Sequence, residues 1–534
     1  MKKSAVFLLV LFIIAVSALF SQESADGSHE VPVENEEAFP AETPGQLLND
    51  DDLVYVIADF EFDITGRSRP FAIIRKVELK TGEEIHGRAN LEEYIRDKTQ
   101  LLINQRVLKD NAEITYTIGE QQEDGAYPVV LGIKVEDSWN IIALPRPQYS
   151  TNTGFDIIIK ARDYNFLGTM NPLRIDLGYF YDENYRSSFL LEVDSSTPFR
   201  AFGYDWTFKF VNLFSYRPQV EEPFFYRNIT GVSMDLPFRT TTFTFSFEEY
   251  LTMNEENSSR YKDKYGEFQT GMYMTSRVYM SWKIPTGIQV SRFGELTYTP
   301  DISATFNHEL PDWPLQDIRM GPYMYFGHSL GFERIDWHAN YREGLSVSFG
   351  NSYGYDFFRF NNVEEPLSAS FRIRAIRHFI INKFFGISTR LLYRHWFDND
   401  PPYNDQASDS IRGIADKAIS ADYMLSLNTD FPFRVLLFTP SQWFNNRKLR
   451  FFDLEFQISP VIDLAMYHDP KNEIAFHPKN FLASGGLELI IFSSFMRNLY
   501  ARFSFAWNLR ELISSGSLPG GENREISFTL GHFY

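Results

Sequence analysis

From residue 141 to Tyr534 the chain repeats one pattern: segments of about ten residues with an apolar side chain at every second position, separated by turns. In residues 499–510, Leu499, Ala501, Phe503, Phe505, Trp507 and Leu509 alternate with Tyr500, Arg502, Ser504, Ala506, Asn508 and Arg510. Leu173, Ile175, Leu177, Tyr179 and Tyr181 alternate in the same way with Arg174, Asp176 and Gly178. A strand turns successive side chains to opposite faces, so each segment has one greasy and one wet side. Charges confined to one face suit a water-filled lumen and would be ruinous against lipid. Short connections at 166–171, 284–287 and 497–498 alternate with long polar ones at 252–266, 398–420 and 463–480. The pattern predicts a mainly β protein, a transmembrane antiparallel β-barrel of 16 strands, or 18 if residues 141–149 form the first and no hairpin between Ser291 and His378 is misread.

Composition agrees. Aromatic residues make up 16% of the chain, with 51 Phe and 29 Tyr, more than a soluble core needs. Mean hydropathy is only −0.28, which argues against a bundle of membrane helices. A net charge of −19 argues against a general nucleic-acid binder, so nucleic acid is not an expected partner. With no cysteine there is no disulfide, thiol nucleophile, lipidated cysteine or Cys-ligated metal. The ten His are scattered, and HExxH, Gly-x-Ser-x-Gly and GxxxxGK[ST] patterns are absent from the sequence. Asp453 and Glu455 are paired in spacing, but alternation into a polar lumen accounts for them without catalysis. The expectation is a protein that is not an enzyme and takes no metal or cofactor.

Lys2 and Lys3 precede an apolar run from Ala5 to Phe20, with small residues Ser17, Ala18 and Ser21 at its end, the layout of a secretory signal peptide over residues 1–21. Residues 22–52 carry many acids, Glu34, Glu36, Glu37, Asp50, Asp51 and Asp52 among them, and no Lys or Arg. With so little to bury, they read as an acidic disordered linker. Residues 53–138 read as a small α+β domain: a strand over 53–64, a helix opened by Pro70, a second helix capped by Asn90 with Glu93, and strands near 112–118 and 127–135. The remainder, 139–534, is the barrel.

The order β-α-α-β-β before a barrel resembles a POTRA domain, and three later stretches strengthen the likeness. Residues 161–168 (ARDYNFLG) resemble an early-barrel turn. Ile411, Arg412, Gly413 and Ile414 sit in a long loop with five strands still to come, where an aliphatic-Arg-Gly-aromatic tetrad would fold back into the lumen; here Ile414 replaces the aromatic. The end of the chain, with Ile526, Phe528, Leu530, Gly531 and Tyr534, looks like a C-terminal β-signal. Together these resemble the POTRA-plus-barrel outer-membrane assembly and translocation superfamily, the bacterial surface antigen family.

That resemblance implies an outer-membrane location in a diderm bacterium with the POTRA domain in the periplasm. Its expected partners are outer-membrane lipids, the insertion machinery that assembles the barrel, and unfolded or extended client polypeptides held at the POTRA sheet. The implied function is insertion of outer-membrane proteins or translocation of polypeptides; the rival is a passive diffusion porin or structural barrel. The resemblance also pairs the motif Arg with an Asp on a following strand. Counting by twos from Asp453 and Glu455 puts Asp463 on the lumen face, so Arg412–Asp463 is the expected pair, provided Pro460 adds no bulge. Pro145 and Pro147, two apart, lack donors on the same side of the first strand, which marks a weak barrel seam if that side meets the last strand. Cysteines at Ile142 and Phe528 are the cross-link expected across that junction.

Overall fold

The computed structural model describes residues 53–123, 125–150, 154–181, 187–219, 223–254, 272–309, 322–357, 366–397, 405–406, 410–414, 420–468, 480–497, 499–520 and 523–530. The expected signal peptide and acidic linker, and Gly531 and Tyr534 of the β-signal, lie outside these residues.

At the N-terminal end, β1 (Val54–Thr65), α1 (Pro70–Val77), β2 (Glu84–His86), α2 (Arg88–Asn104), β3 (Glu113–Ile118) and β4 (Tyr127–Glu136) form an α+β module. Its sheet runs in the order β2-β1-β4-β3, with β1 and β4 parallel. Alternation on β4 buries Val129, Leu131, Ile133 and Val135 beside Ile57, and Ile73, Val77, Leu91, Ile95 and Leu102 from the helices complete the core. Pro70 opens α1 where a missing N–H costs nothing. Two expectations need correction. The expected order β-α-α-β-β lacks β2, whose three residues between the helices are too few to show a period. In addition, α2 starts at Arg88 after Gly87, and the Asn90 amide donates to the His86 carbonyl at 2.6 Å instead of capping the helix.

The rest of the described chain closes into one antiparallel barrel of nineteen strand segments, from Ile141–Ser150 to Arg524–Leu530. Tyr423–Asp430 and Phe433–Phe438 lie end to end on the same neighbours. Register against Leu454–His468 is unbroken between them, from Asp430↔Val461 to Phe433↔Ile458. Joined, they leave 18 staves, the larger of the two counts expected from the sequence. Pro432, without an N–H, interrupts the ladder there.

Leu177, Phe247, Val278, Leu487 and Phe505 stand exposed on the outside, whereas Glu488 and Ser504 are buried within. An exposed apolar exterior over a polar lining is the arrangement lipid selects. Among the described residues no helix is long and apolar enough to cross a membrane, which says nothing of strands. Two local expectations fail. Residues 284–287 lie inside the strand Met272–Gln289 rather than in a turn. Leu509 and Arg510 leave the strand Tyr500–Asn508 for the helix Leu509–Ser515, because the Asn508 side chain accepts the Arg510 amide at 3.1 Å.

The module is fastened to the barrel end that carries the short turns. Asp137 accepts the amides of Arg67 at 2.7 Å and Ser68 at 3.2 Å, and Asn165 donates to Asp137 and to the Ser68 hydroxyl at 2.9 Å each. Arg67 grips Asp163 with two bonds of 2.9 and 3.0 Å. The 161–168 stretch is thus the barrel's docking turn, and Met170 just beyond it enters the module core. Across the mouth, Arg334 pairs with Asp97 at 2.8 Å, and Arg106 lies over the Trp337 ring at 4.3 Å. Burial, aided by Arg497 and Arg342, lowers the Arg106 pKa.

Gly168 is the tightest point of this junction. Its φ is +74°, and a Cβ would stand 2.0 Å from the Arg67 carbonyl oxygen. Gly168→Ala is therefore expected to loosen the junction by more than about 1 kcal/mol. Faster proteolysis near residues 65–69 in the detergent-solubilised protein would show it; wild-type protection would contradict the contact.

Candidate functional site

The lumen-facing set on Leu454–His468 runs by twos through Glu455, Gln457, Ser459, Val461, Asp463 and Ala465, all buried. Pro460 faces the other way, and pairing to Phe481–Ser493 passes it without a shift, so Asp463 stays on the same face as Glu455. Asp463 and Glu488 are each 1% exposed. Two carboxylates so enclosed need a cation and donors close by.

Arg412 stands among them. Its Nε and Nη2 donate to Asp463 at 2.8 and 2.5 Å, and its backbone N–H adds a third bond to the same carboxylate at 3.0 Å. Its Nη1 reaches Asp430 at 2.7 Å and Glu488 at 3.0 Å. Arg502 approaches Glu488 from the far side, its Nε 2.7 Å away, and the Ser504 hydroxyl donates to Glu488 at 3.1 Å. The fork of a guanidinium can serve several carboxylate oxygens in this way; the point charge of an ammonium cannot.

The rest of the tetrad is held by packing and by backbone. Ile411 and Ile414 are buried in one apolar cluster with Ala421, Met424, Ala465 and Leu482. The Gly413 amide donates to Glu525 at 2.9 Å, which ties the loop to the last stave. At φ +79°, a Cβ on Gly413 would lie 2.6 Å from the Trp507 nitrogen. Asn428 donates to the Ser410 carbonyl at 2.9 Å and accepts from Arg390. Gly413→Ala is expected to push the tetrad off the wall and lower the urea midpoint of the folded barrel; an unchanged midpoint would show that the loop adapts.

At the seam, the first stave Ile141–Ser150 neighbours the last, Arg524–Leu530. The Tyr164 amide donates to the Asn140 carbonyl, and the ladder continues in that register from Ile141↔Asp163 to Ser150↔Gly154. Hydrogen-bonded pairs recur every second residue, so the even positions of the first stave bond to the second. The odd positions, Pro145 and Pro147 among them, turn their backbone nitrogens toward the last stave. One correction concerns the cross-link. Ile141 and Ala143 are exposed on the outer face, so Ile142 faces inward, while Phe528 opposes Phe503 on the outside. Cysteines at 142 and 528 would point to opposite faces.

Sequence reading did not single out Asp430, Glu488, Arg502 or Glu525. Glu488 carried a usable signal, a lone acid between Leu487 and Leu489 at a lumen-parity position. Among the described residues no group of His and acidic side chains could hold a metal ion.

No protein-family description and no curated protein matches the chain. Solved structures that resemble it include CdiB from Acinetobacter baumannii, 13% identical with a TM-score of 0.47, covering 89% of this chain and 74% of that one. BamA from Haemophilus ducreyi lacking POTRA domains 1–3 is 11% identical, with a TM-score of 0.37 and coverage of 90% and 85%. CdiB from Escherichia coli is 10% identical, with a TM-score of 0.37 and coverage of 91% and 92%.

Proposed function

We propose that this protein is an outer-membrane transporter that assists insertion of outer-membrane proteins or translocation of polypeptides, with its α+β module acting as a POTRA domain in the periplasm. The observation that carries the reading is the seam. Two donors are missing from the first stave on the side that meets the last, so closure is short of hydrogen bonds along one defined line. A passive pore has no use for a weak junction, whereas lateral release of a strand into lipid requires one.

The lumen tetrad supports the same reading. Gly413 binds Glu525 on the last stave, while Arg412 binds three carboxylates on the staves before it. The loop braces the wall beside the seam and leaves the seam itself free to part. On the module, β3 is an edge strand pairing, among the described residues, with β4 alone, and its outer side can take up an extended client by strand addition. The C-terminal residues Ile526, Phe528, Leu530, Gly531 and Tyr534 would serve as the signal read by the insertion machinery when this barrel itself is assembled.

Depletion tests the proposal. Loss of other outer-membrane proteins, or of one secreted client, is the expected result. A defect limited to uptake of small solutes would replace the transporter with a diffusion pore.

A further inference from the structure

Turns on the module side of the barrel are short; residues 239–240 and 339–340 suffice between their strands. Residues 439–453 on that side are a much longer connection, and their composition is unusual for this chain. Their only acid is Asp453, which is buried and accepts the Ser441 amide at 3.0 Å and its hydroxyl, pinning the neck of the loop. Beyond the neck, Trp443, Phe444, Phe451 and Phe452 are 58%, 71%, 51% and 54% exposed. Arg447, Lys448 and Arg450 are exposed between them, three cations without an exposed acid in a protein of net charge −19.

The apolar surface does not begin at the loop. A register shift between Arg434 and Leu436 breaks the alternation of the preceding strand, and Val435, Leu436 and Leu437 are all exposed. Phe438 then meets Trp443 edge-to-face with ring centres 5.0 Å apart. On the other flank Phe451 contacts Phe495, and Phe495 contacts Trp139 at the foot of the first stave. The patch is therefore continuous with the lipid-facing belt. It ends in the aromatic-plus-basic mixture that favours the boundary between acyl chains and anionic headgroups.

We propose that residues 439–452 are a membrane-interface anchor: the four aromatic rings lie in the leaflet on the module's side, and Arg447, Lys448 and Arg450 bind anionic phospholipid headgroups. This rests on the transmembrane reading of the barrel.

The chain has no cysteine, so Phe444→Cys in the full-length protein offers a single site for an environment-sensitive dye. The labelled protein is reconstituted in phosphatidylcholine vesicles with or without phosphatidylglycerol. Leu487→Cys on the belt and Glu61→Cys on β1 serve as the lipid and water references. With phosphatidylglycerol present, the label at 444 should be quenched by nitroxide-bearing lipid much as at 487. In the Arg447→Gln, Lys448→Gln, Arg450→Gln background the ratio of lipid-reached to iodide-reached label should fall roughly fivefold per charge. Iodide quenching at 444 as free as at 61, in both vesicle types, would overturn the anchor. Protection that arises only on adding another polypeptide would overturn it in favour of a protein-docking surface. Failure of lipid quenching at 487 itself would refute the transmembrane reading, a result distinct from failure at 444 alone.

Discussion

Arg412→Glu is expected to leave the protein unable to complete its barrel. The change removes the cation shared by Asp463, Asp430 and Glu488 and puts a fourth carboxylate in the same enclosed space. Breaking one buried pair by deleting a partner costs about 3–5 kcal/mol, and a reversal adds repulsion to that loss. A whole domain is stable by only about 5–15 kcal/mol, so the folded fraction should collapse. The measurement is the heat-modifiable gel shift of a folded barrel together with its urea midpoint. Arg412→Lys should fall between, since it keeps the charge and loses the fork that uses Nε, Nη1 and Nη2 together. Adding Asp463→Arg to Arg412→Glu should restore assembly in part. A glutamate at 412 would regain one partner and still face Asp430 and Glu488, so the coupling energy of the pair should be less than the cost of the single reversal. Normal folding of Arg412→Glu would show that the tetrad does not hold the barrel.

What could be read from the sequence follows a physical rule. A period of two survives any number of residues while the strand stays regular, which is why Asp463 could be placed from Asp453 and Glu455, ten and eight residues away. The same counting cannot pass a bulge: between Arg434 and Leu436 the register shifts, so the outward run Val435, Leu436 and Leu437 could not be told from alternation. Arg502 bonding Glu488, and Glu525 bonding Gly413, depend on which staves adjoin and on how far a loop descends; no local pattern encodes either. The strand β2, three residues long, and the helix at Leu509–Ser515, set by a side-chain cap on one amide, are below the length at which periodicity speaks. The aromatic excess was legible as composition, but the part of it in residues 439–452 needed the register shift at Val435 to show that it leaves the belt and continues beyond it.

Locking the seam is the second large expected effect. Ala143 on the first stave and Ile526 or Phe528 on the last all face outward, so a cysteine at 143 scanned against 526 and 528 should form a disulfide in the folded barrel once the pair in register is found. The oxidised protein should keep its heat-modifiable fold and lose client insertion or export by at least about tenfold, with recovery on reduction, because separating two staves joined by a covalent bond is no longer a matter of a few hydrogen bonds. Pro145→Ala with Pro147→Ala attacks the same junction from the opposite direction. It returns two donors aimed at the last stave, each worth about 0.5–1.5 kcal/mol net, and should slow transport without any cross-link. The two results together separate the seam from the lumen as the route. If the oxidised barrel works as well as the reduced one while the proline variant is also unaffected, clients do not leave through this junction, and the missing donors serve only to bend the first stave.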